Sequence, residues 1–150
     1  MQTSKRIFLR GIAALSALAV LPKAALAAVW PQAAFSKDVA KQAMTELFGT
    51  DQTTPSDQIV LRIPEIAENG AVVPITINTT HENVESISIV VEKNPRPLVA
   101  NFEMLAGTLP EVSCRIKMGE TSDVMAVVKT DAGLYSASKE VKVTIGGCGG

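Results

Sequence analysis

Val112-Ser113-Cys114-Arg115-Ile116-Lys117-Met118 places an apolar or thiol side chain at every second residue, with Ser, Arg and Lys between. Successive side chains of a β-strand point to opposite faces, so this period of two reads as a strand with one buried face. The period recurs on both sides of the stretch. Upstream, Ile59-Val60-Leu61-Arg62-Ile63 is a short strand stopped by Pro64. Val73, Ile75 and Ile77 alternate with Pro74, Thr76 and Asn78, and Pro74 predicts an edge strand or a bulge. Ile87, Ile89 and Val91 alternate with Ser86, Ser88 and Val90. After the break at Asn94-Pro95-Arg96-Pro97, Leu98 to Leu105 is another strand. Downstream, Asp123 to Lys129 and Leu134 to Ile145 complete the set, the second as one strand or a pair. Asn69-Gly70 and Asp131-Ala132-Gly133 supply turns.

About seven strands with regular turn signals predict an all-β fold: an immunoglobulin-like antiparallel β-sandwich. The strand count and alternation carry this expectation, because the immunoglobulin disulfide and its core Trp are missing. Trp30 lies ahead of all the strands. An open barrel is the competing all-β solution.

Ahead of the strands the period changes. Val39, Ala40, Ala43, Met44, Leu47 and Phe48 recur at spacings of three and four, which predicts an amphipathic N-terminal helix. Ser36 is its expected N-cap and Gly49 its C′ residue. Thr50 to Asp57 reads as a linker.

The first 27 residues are an address rather than part of the fold. Lys5, Arg6 and Arg10 form a positive region, Ile12 to Leu21 is an apolar run, and Ala25-Leu26-Ala27 is a small-x-small cleavage site. The apolar run is shorter than the ~20 residues of a membrane span. Ser4-Lys5-Arg6-Ile7-Phe8-Leu9-Arg10 has the form of a twin-arginine export signal with Lys in the first arginine position. An ordinary secretion signal is the alternative. The expected organisation is a signal peptide over 1–27, helix and linker over 28–57, a β-sandwich over 58–145, and a flexible arm over 146–150.

The chain has 150 residues, 47% of them hydrophobic and 19% charged, which excludes wholesale disorder. Its formal charge of −1 hides an asymmetry. Residues 1–27 hold Lys5, Arg6, Arg10 and Lys23 and no carboxylate, so the remainder carries a net charge of about −5. An acidic domain has no electrostatic attraction for nucleic acid. There is one histidine, His81, which is expected in a solvated turn, so a His-rich metal site is excluded by count. No nucleophile elbow and no Gly-rich phosphate loop is present. Glu65 and Glu68 flank a turn and read as surface charges.

Two cysteines remain. Cys114 shares the apolar face of its strand and reads as a small core residue. Cys148 lies in Gly146-Gly147-Cys148-Gly149-Gly150, the last five residues. Glycine has no side chain with which to bury or hold this segment. The result is an unshielded thiol on a tether reaching roughly 10 Å past Ile145. No basic neighbour lowers its pKa, so its expected value is about 8.5 or above. Such a thiol suits a carrier whose activation comes from a partner. A catalytic cysteine needs a fixed base and an oriented oxyanion site, and this context fixes neither. A Cys114–Cys148 disulfide in a structural or binding module is the alternative.

The export signal, Pro64-Glu65-Ile66-Ala67-Glu68-Asn69-Gly70, Val91-Glu92-Lys93-Asn94-Pro95-Arg96-Pro97-Leu98, Arg115-Ile116-Lys117-Met118 and the ending Val141 to Gly150 together resemble the SoxY family. These are the sulfur-carrying subunits of bacterial thiosulfate oxidation. The resemblance implies a periplasmic, non-enzymatic carrier with an immunoglobulin-like sandwich, paired with a SoxZ subunit as a heterodimer. It implies that Cys148 is the covalent attachment site and that Gly146, Gly147, Gly149 and Gly150 are its hinge. Thiosulfonate and persulfide sulfur on Cys148 would be the only bound group, with no metal or cofactor. A haem-containing conjugating enzyme, a manganese sulfate hydrolase and a molybdenum–haem sulfane dehydrogenase would act on it in turn. Cys114 departs from the family pattern, in which another residue is usual.

Overall fold

The computed structural model describes residues 30–145. The expected signal peptide over 1–27 lies outside them. Among these residues nine strands follow two helices: β1 Thr54–Pro55, β2 Ile59–Arg62, β3 Ile66–Ala67, β4 Val73–Thr79, β5 Val84–Val91, β6 Leu98–Glu103, β7 Glu111–Ile116, β8 Ser122–Thr130 and β9 Gly133–Val143. Seven have four residues or more. The other two, β1 and β3, have two each. They form a sandwich of two sheets, as the alternation predicts. One sheet has the order β1-β9-β8-β5-β6 with β3 also on β9, and the other has the order β2-β4-β7.

The inner faces meet in one core. Ile75, Ile77, Ile87, Ile89, Met118, Val124 and Val128 are among its fully buried side chains. Each such side chain contributes about 1.5–3 kcal/mol by leaving water. The outer face of the larger sheet is covered too. Val90, Leu98 and Val127 pack with Ala34, Ala43 and Met44 of the helices in a second cluster. Val90 alternates with the inward Ile89 and Val91, so it points outward, yet the helices bury it. Helical cover removes the polar face that alternation alone predicts for β5.

The helical region differs from expectation at its start. The described residues hold two helices, α1 Gln32–Phe35 and α2 Ala40–Phe48. Ser36 is not the N-cap of the longer one. Its backbone is right-handed helical, and its hydroxyl donates to the Ala33 carbonyl at 2.9 Å, closing α1. Val39, extended at φ −120° and ψ 126°, precedes α2 without a side-chain cap. Gly49 ends α2 at φ 79°, a conformation that glycine adopts without Cβ strain.

Two short segments were expected as linker and turn. Thr54–Pro55 pairs in parallel with Tyr135 and Ser136 on β9, and Ile66–Ala67 pairs in parallel with Lys142 and Val143. Both cover the outer edge of β9, where unpaired peptide groups would otherwise face solvent. Two-residue strands carry too little sequence for a period to show. Pro74 sits in the middle strand of its sheet rather than at an edge. Its missing N–H is tolerated because β2 pairs only with residues 76–79, leaving Pro74 one neighbour, β7.

Candidate functional site: the base of the C-terminal arm

Cys148, Gly146, Gly147, Gly149 and Gly150 lie outside the described residues. The structure describes the platform from which they continue. β9 ends at Val143 with both edges held. On one side β3 runs parallel to it: the Lys142 amide donates to the Glu65 carbonyl at 2.9 Å and the Thr144 amide to Ala67 at 3.1 Å. The Thr144 hydroxyl adds a bond to the Glu68 carbonyl at 3.2 Å. On the other side the Val143 amide donates to Thr121 Oγ1 at 3.0 Å.

The last described residue is fixed as well. The Gly70 amide donates to the Ile145 carbonyl at 2.9 Å, and the Met118 amide donates to the Gly70 carbonyl at 2.7 Å. Asn69 shapes this corner, its Oδ1 accepting from the Ala71 amide. Such an Asx turn is what the Asn-Gly pair signals, although no β-hairpin follows. The side chains around the base are apolar and exposed: Ile66, Val72 and Ile145 are each more than half accessible. Lys139 pairs with Glu65 at 3.5 Å, and the Glu65 side chain is largely in solvent, so the pair adds little stability.

Cys114 is a free thiol on β7, opposite Ile75 of β4. It is half-buried rather than sealed in the core, and burial pushes its pKa up. It opens into a cleft of about 430 Å³ between β6 and β7, beside Phe102, Arg96, Arg115 and Lys117. Alternation places Cys114 on the apolar face, but the cleft follows from strand order, which alternation does not reveal.

His81 is not a solvated turn residue. Its ring stacks on Tyr135 with centroids 4.1 Å apart and planes 25° from parallel, and Nε2 lies 2.9 Å from Ser56 Oγ. Glu65 and Glu68 stay on the surface, as expected. Among the described residues, no group of three or more His, Cys, Asp or Glu side chains could hold a metal ion. Among the same residues, no helix is long and apolar enough to cross a membrane.

Known proteins share this architecture. The sulfur carrier protein SoxY from Chlorobium limicola f thiosulfatophilum is 43% identical, with a TM-score of 0.62 over 69% of this chain and 94% of that one. A superoxide reductase (neelaredoxin) from Ignicoccus hospitalis superposes with a TM-score of 0.55 over 64% of this chain and 98% of that one, at 16% identity. That second likeness extends to the fold alone. No curated protein matches the chain. The family model for the sulfur oxidation protein SoxY matches residues 44–148, from the second turn of α2 through the strands to Cys148 itself. A match over well over half the chain, together with the close structural relative, places this protein in the SoxY family.

Proposed function

We propose that the chain is a periplasmic sulfur carrier in thiosulfate oxidation, with Cys148 as the covalent attachment point. The observation that carries this reading is the reach of the SoxY match to residue 148, the cysteine of the Gly-Gly-Cys-Gly-Gly ending. Residues 1–27 are a cleaved export signal of the twin-arginine type, and residues 146–150 are the arm. The β-sandwich fixes the chain at Ile145, and the four glycines around Cys148 carry no side chain that would block a narrow active site.

The chemistry belongs to the enzymes visited. A haem-containing conjugating enzyme removes two electrons and one proton as the Cys148 thiol and the outer sulfur of thiosulfate form an S–S bond. The product is Cys148–S–S–SO3⁻. A manganese hydrolase adds water across the terminal S–S bond, releasing sulfate and a proton and leaving the persulfide. A sulfane dehydrogenase oxidises that remaining sulfur, and a second hydrolysis restores the thiol. Covalent attachment keeps each reactive intermediate from diffusing away between enzymes. A SoxZ-like subunit pairs with the chain as a heterodimer, and recognition lies mainly on the folded domain because the arm offers no side chains.

Intact mass spectrometry of protein from thiosulfate-grown cells tests this. Adducts with the mass of sulfur or thiosulfonate, lost in Cys148→Ser, are expected. A sole modification equal to the loss of two hydrogens, from a Cys114–Cys148 bridge, would sink the carrier reading.

A further inference from the structure

The two edges of β9 are covered, one by β8 and the other by β1 and β3, but among the described residues the outer edges of β2, β6 and β7 have no strand neighbour. β6 pairs only with β5, and β7 pairs only with β4. These open edges flank the same cleft, which Phe102 of β6 lines together with Cys114 and Ile116 of β7. Uncovered edges are strand-pairing templates that natural proteins usually blunt.

One end of the β7 edge shows how its peptide groups are used. The Asn94 side-chain amide donates to the Lys117 carbonyl at 2.7 Å and accepts from the Gly119 amide at 3.1 Å. It stands in for one peptide unit of a neighbouring strand. Backbone groups alternate sides along an antiparallel strand, so those of Ser113 and Arg115 point the same way as those of Lys117. Among the described residues, no side chain covers them in the same manner.

The rim of the cleft has one sign of charge. Arg96, Arg115 and Lys117 line it and no carboxylate does, in a chain whose residues after position 27 carry about five excess negative charges. A second copy of this chain would bring the same cations against one another. An acidic partner meets charges of opposite sign.

We propose that the β6–β7 flank is a strand-addition site for an extended, acidic segment of another protein. Its backbone pairs with Ser113 and Arg115 on the β7 edge, beyond the Asn94 clasp. One apolar side chain enters the cleft against Phe102 and Ile116, and its carboxylates meet Arg96, Arg115 and Lys117. This site stands on the strand order and the charges and does not depend on the sulfur chemistry of Cys148.

The test uses 15N-labelled chain carrying Cys148→Ser, in which Cys114 is the sole thiol. The probe is an end-capped peptide of alternating Val and Glu, with alternating Val and Lys as control. The Val–Glu peptide is expected to shift the Ser113, Arg115 and β6 amides in a saturable way and to slow Cys114 alkylation. The control is expected to bind about tenfold or more weakly. The double variant Arg115→Glu, Lys117→Glu, at exposed positions, is expected to lose about tenfold in Val–Glu affinity with an unchanged Tm. Shifts confined to other strands, equal binding of the two peptides, or no shift at millimolar peptide would overturn the proposal. Self-association of the chain that protects Cys114 would overturn it also, by placing a second copy on the flank. None of these results bears on whether Cys148 carries sulfur.

Discussion

The amide of Gly70 donates to the carbonyl of Ile145 at 2.9 Å, and the same glycine accepts from Met118 at 2.7 Å. One residue thus ties the end of β9 to the end of β7, across the two sheets. Ile145 is the last residue before the glycine-rich ending, so this clasp sets where the domain stops and the proposed arm starts. Backbone 15N relaxation checks it. Heteronuclear NOE values are expected to stay high through Ile145 and to fall from Gly146 onward. Slow hydrogen exchange at Gly70 and Met118 should accompany that profile. A high plateau running through Cys148 would mean that the thiol is held by the domain and is no swinging arm.

The His81–Tyr135 stack fixes a second junction. Tyr135 pairs with Thr54, and Ser56 both bonds His81 and donates its amide to the Ser136 carbonyl at 2.9 Å. The stack therefore holds β1 against β9. An aromatic pair contributes about 0.5–1.5 kcal/mol beyond burial, and a net hydrogen bond about the same. His81→Ala is expected to lower stability by about 1–3 kcal/mol in chemical denaturation. His81→Phe, which keeps the stack and loses the Ser56 bond, should recover part of that. Equal losses in both variants would assign the effect to the hydrogen bond alone.

Burial raises the pKa of the Cys114 thiol. The folded state therefore favours the neutral form. The resulting stabilisation is complete below the pKa of the thiol in the unfolded chain and is lost as pH rises through the folded value. In a Cys148→Ser background, the rate of iodoacetamide labelling at Cys114 should reach half its maximum at a higher pH than for a free cysteine peptide. The stability advantage over a Cys114→Ala variant should shrink as pH rises past about 8.5. A labelling midpoint at or below that of the free peptide would contradict the burial argument.

How far the sequence alone reaches can be followed residue by residue. Ile75, Ile87 and Ile116 announce their strands because each repeats at period two over enough residues to show a buried face. Ile66 and Thr54 do not, because a two-residue strand has no period and its parallel pairing depends on where β9 runs. Val90 falls out of phase with Ile89 and Val91, and nothing local says that it packs on α2, some forty positions away. His81 is polar and follows two threonines, so its stack on Tyr135, distant in sequence, is hidden. At the candidate site, Cys148 is legible from composition, since four glycines leave one reactive atom. The cleft beside Cys114 is not, because Phe102 and Arg115 come to line one cleft only through the order of β6 and β7 in their sheets.

α2 tests whether the helical region belongs to the same folding unit as the sandwich. Met44 is buried between α2 and the outer face of β5 and β8, with Val90 and Val127. Met44→Ala should cost about 2–5 kcal/mol if the helix unfolds with the strands. A single transition by both far-UV and near-UV signals is then expected. Two separated transitions would show that α2 melts away from an intact sandwich.

The diglycine before Cys148 carries the last prediction. Val restricts χ1 and backbone freedom where Gly does not. Replacing Gly146 and Gly147 with Val adds no contact that the described domain needs, because β9 ends at Val143 and the clasp on Ile145 uses backbone atoms alone. The Tm is therefore expected to stay within about 1 °C of the parent, as for substitutions outside the folded core. Sulfate release from thiosulfate in the reconstituted system is expected to drop, since a stiffened, side-chain-bearing segment enters a narrow active site less readily. The two readings separate cleanly. Lower turnover with normal thiol alkylation locates the defect in delivery rather than in the thiol. Unchanged turnover would remove the need for a flexible arm, while leaving attachment at Cys148 to be judged by mass alone.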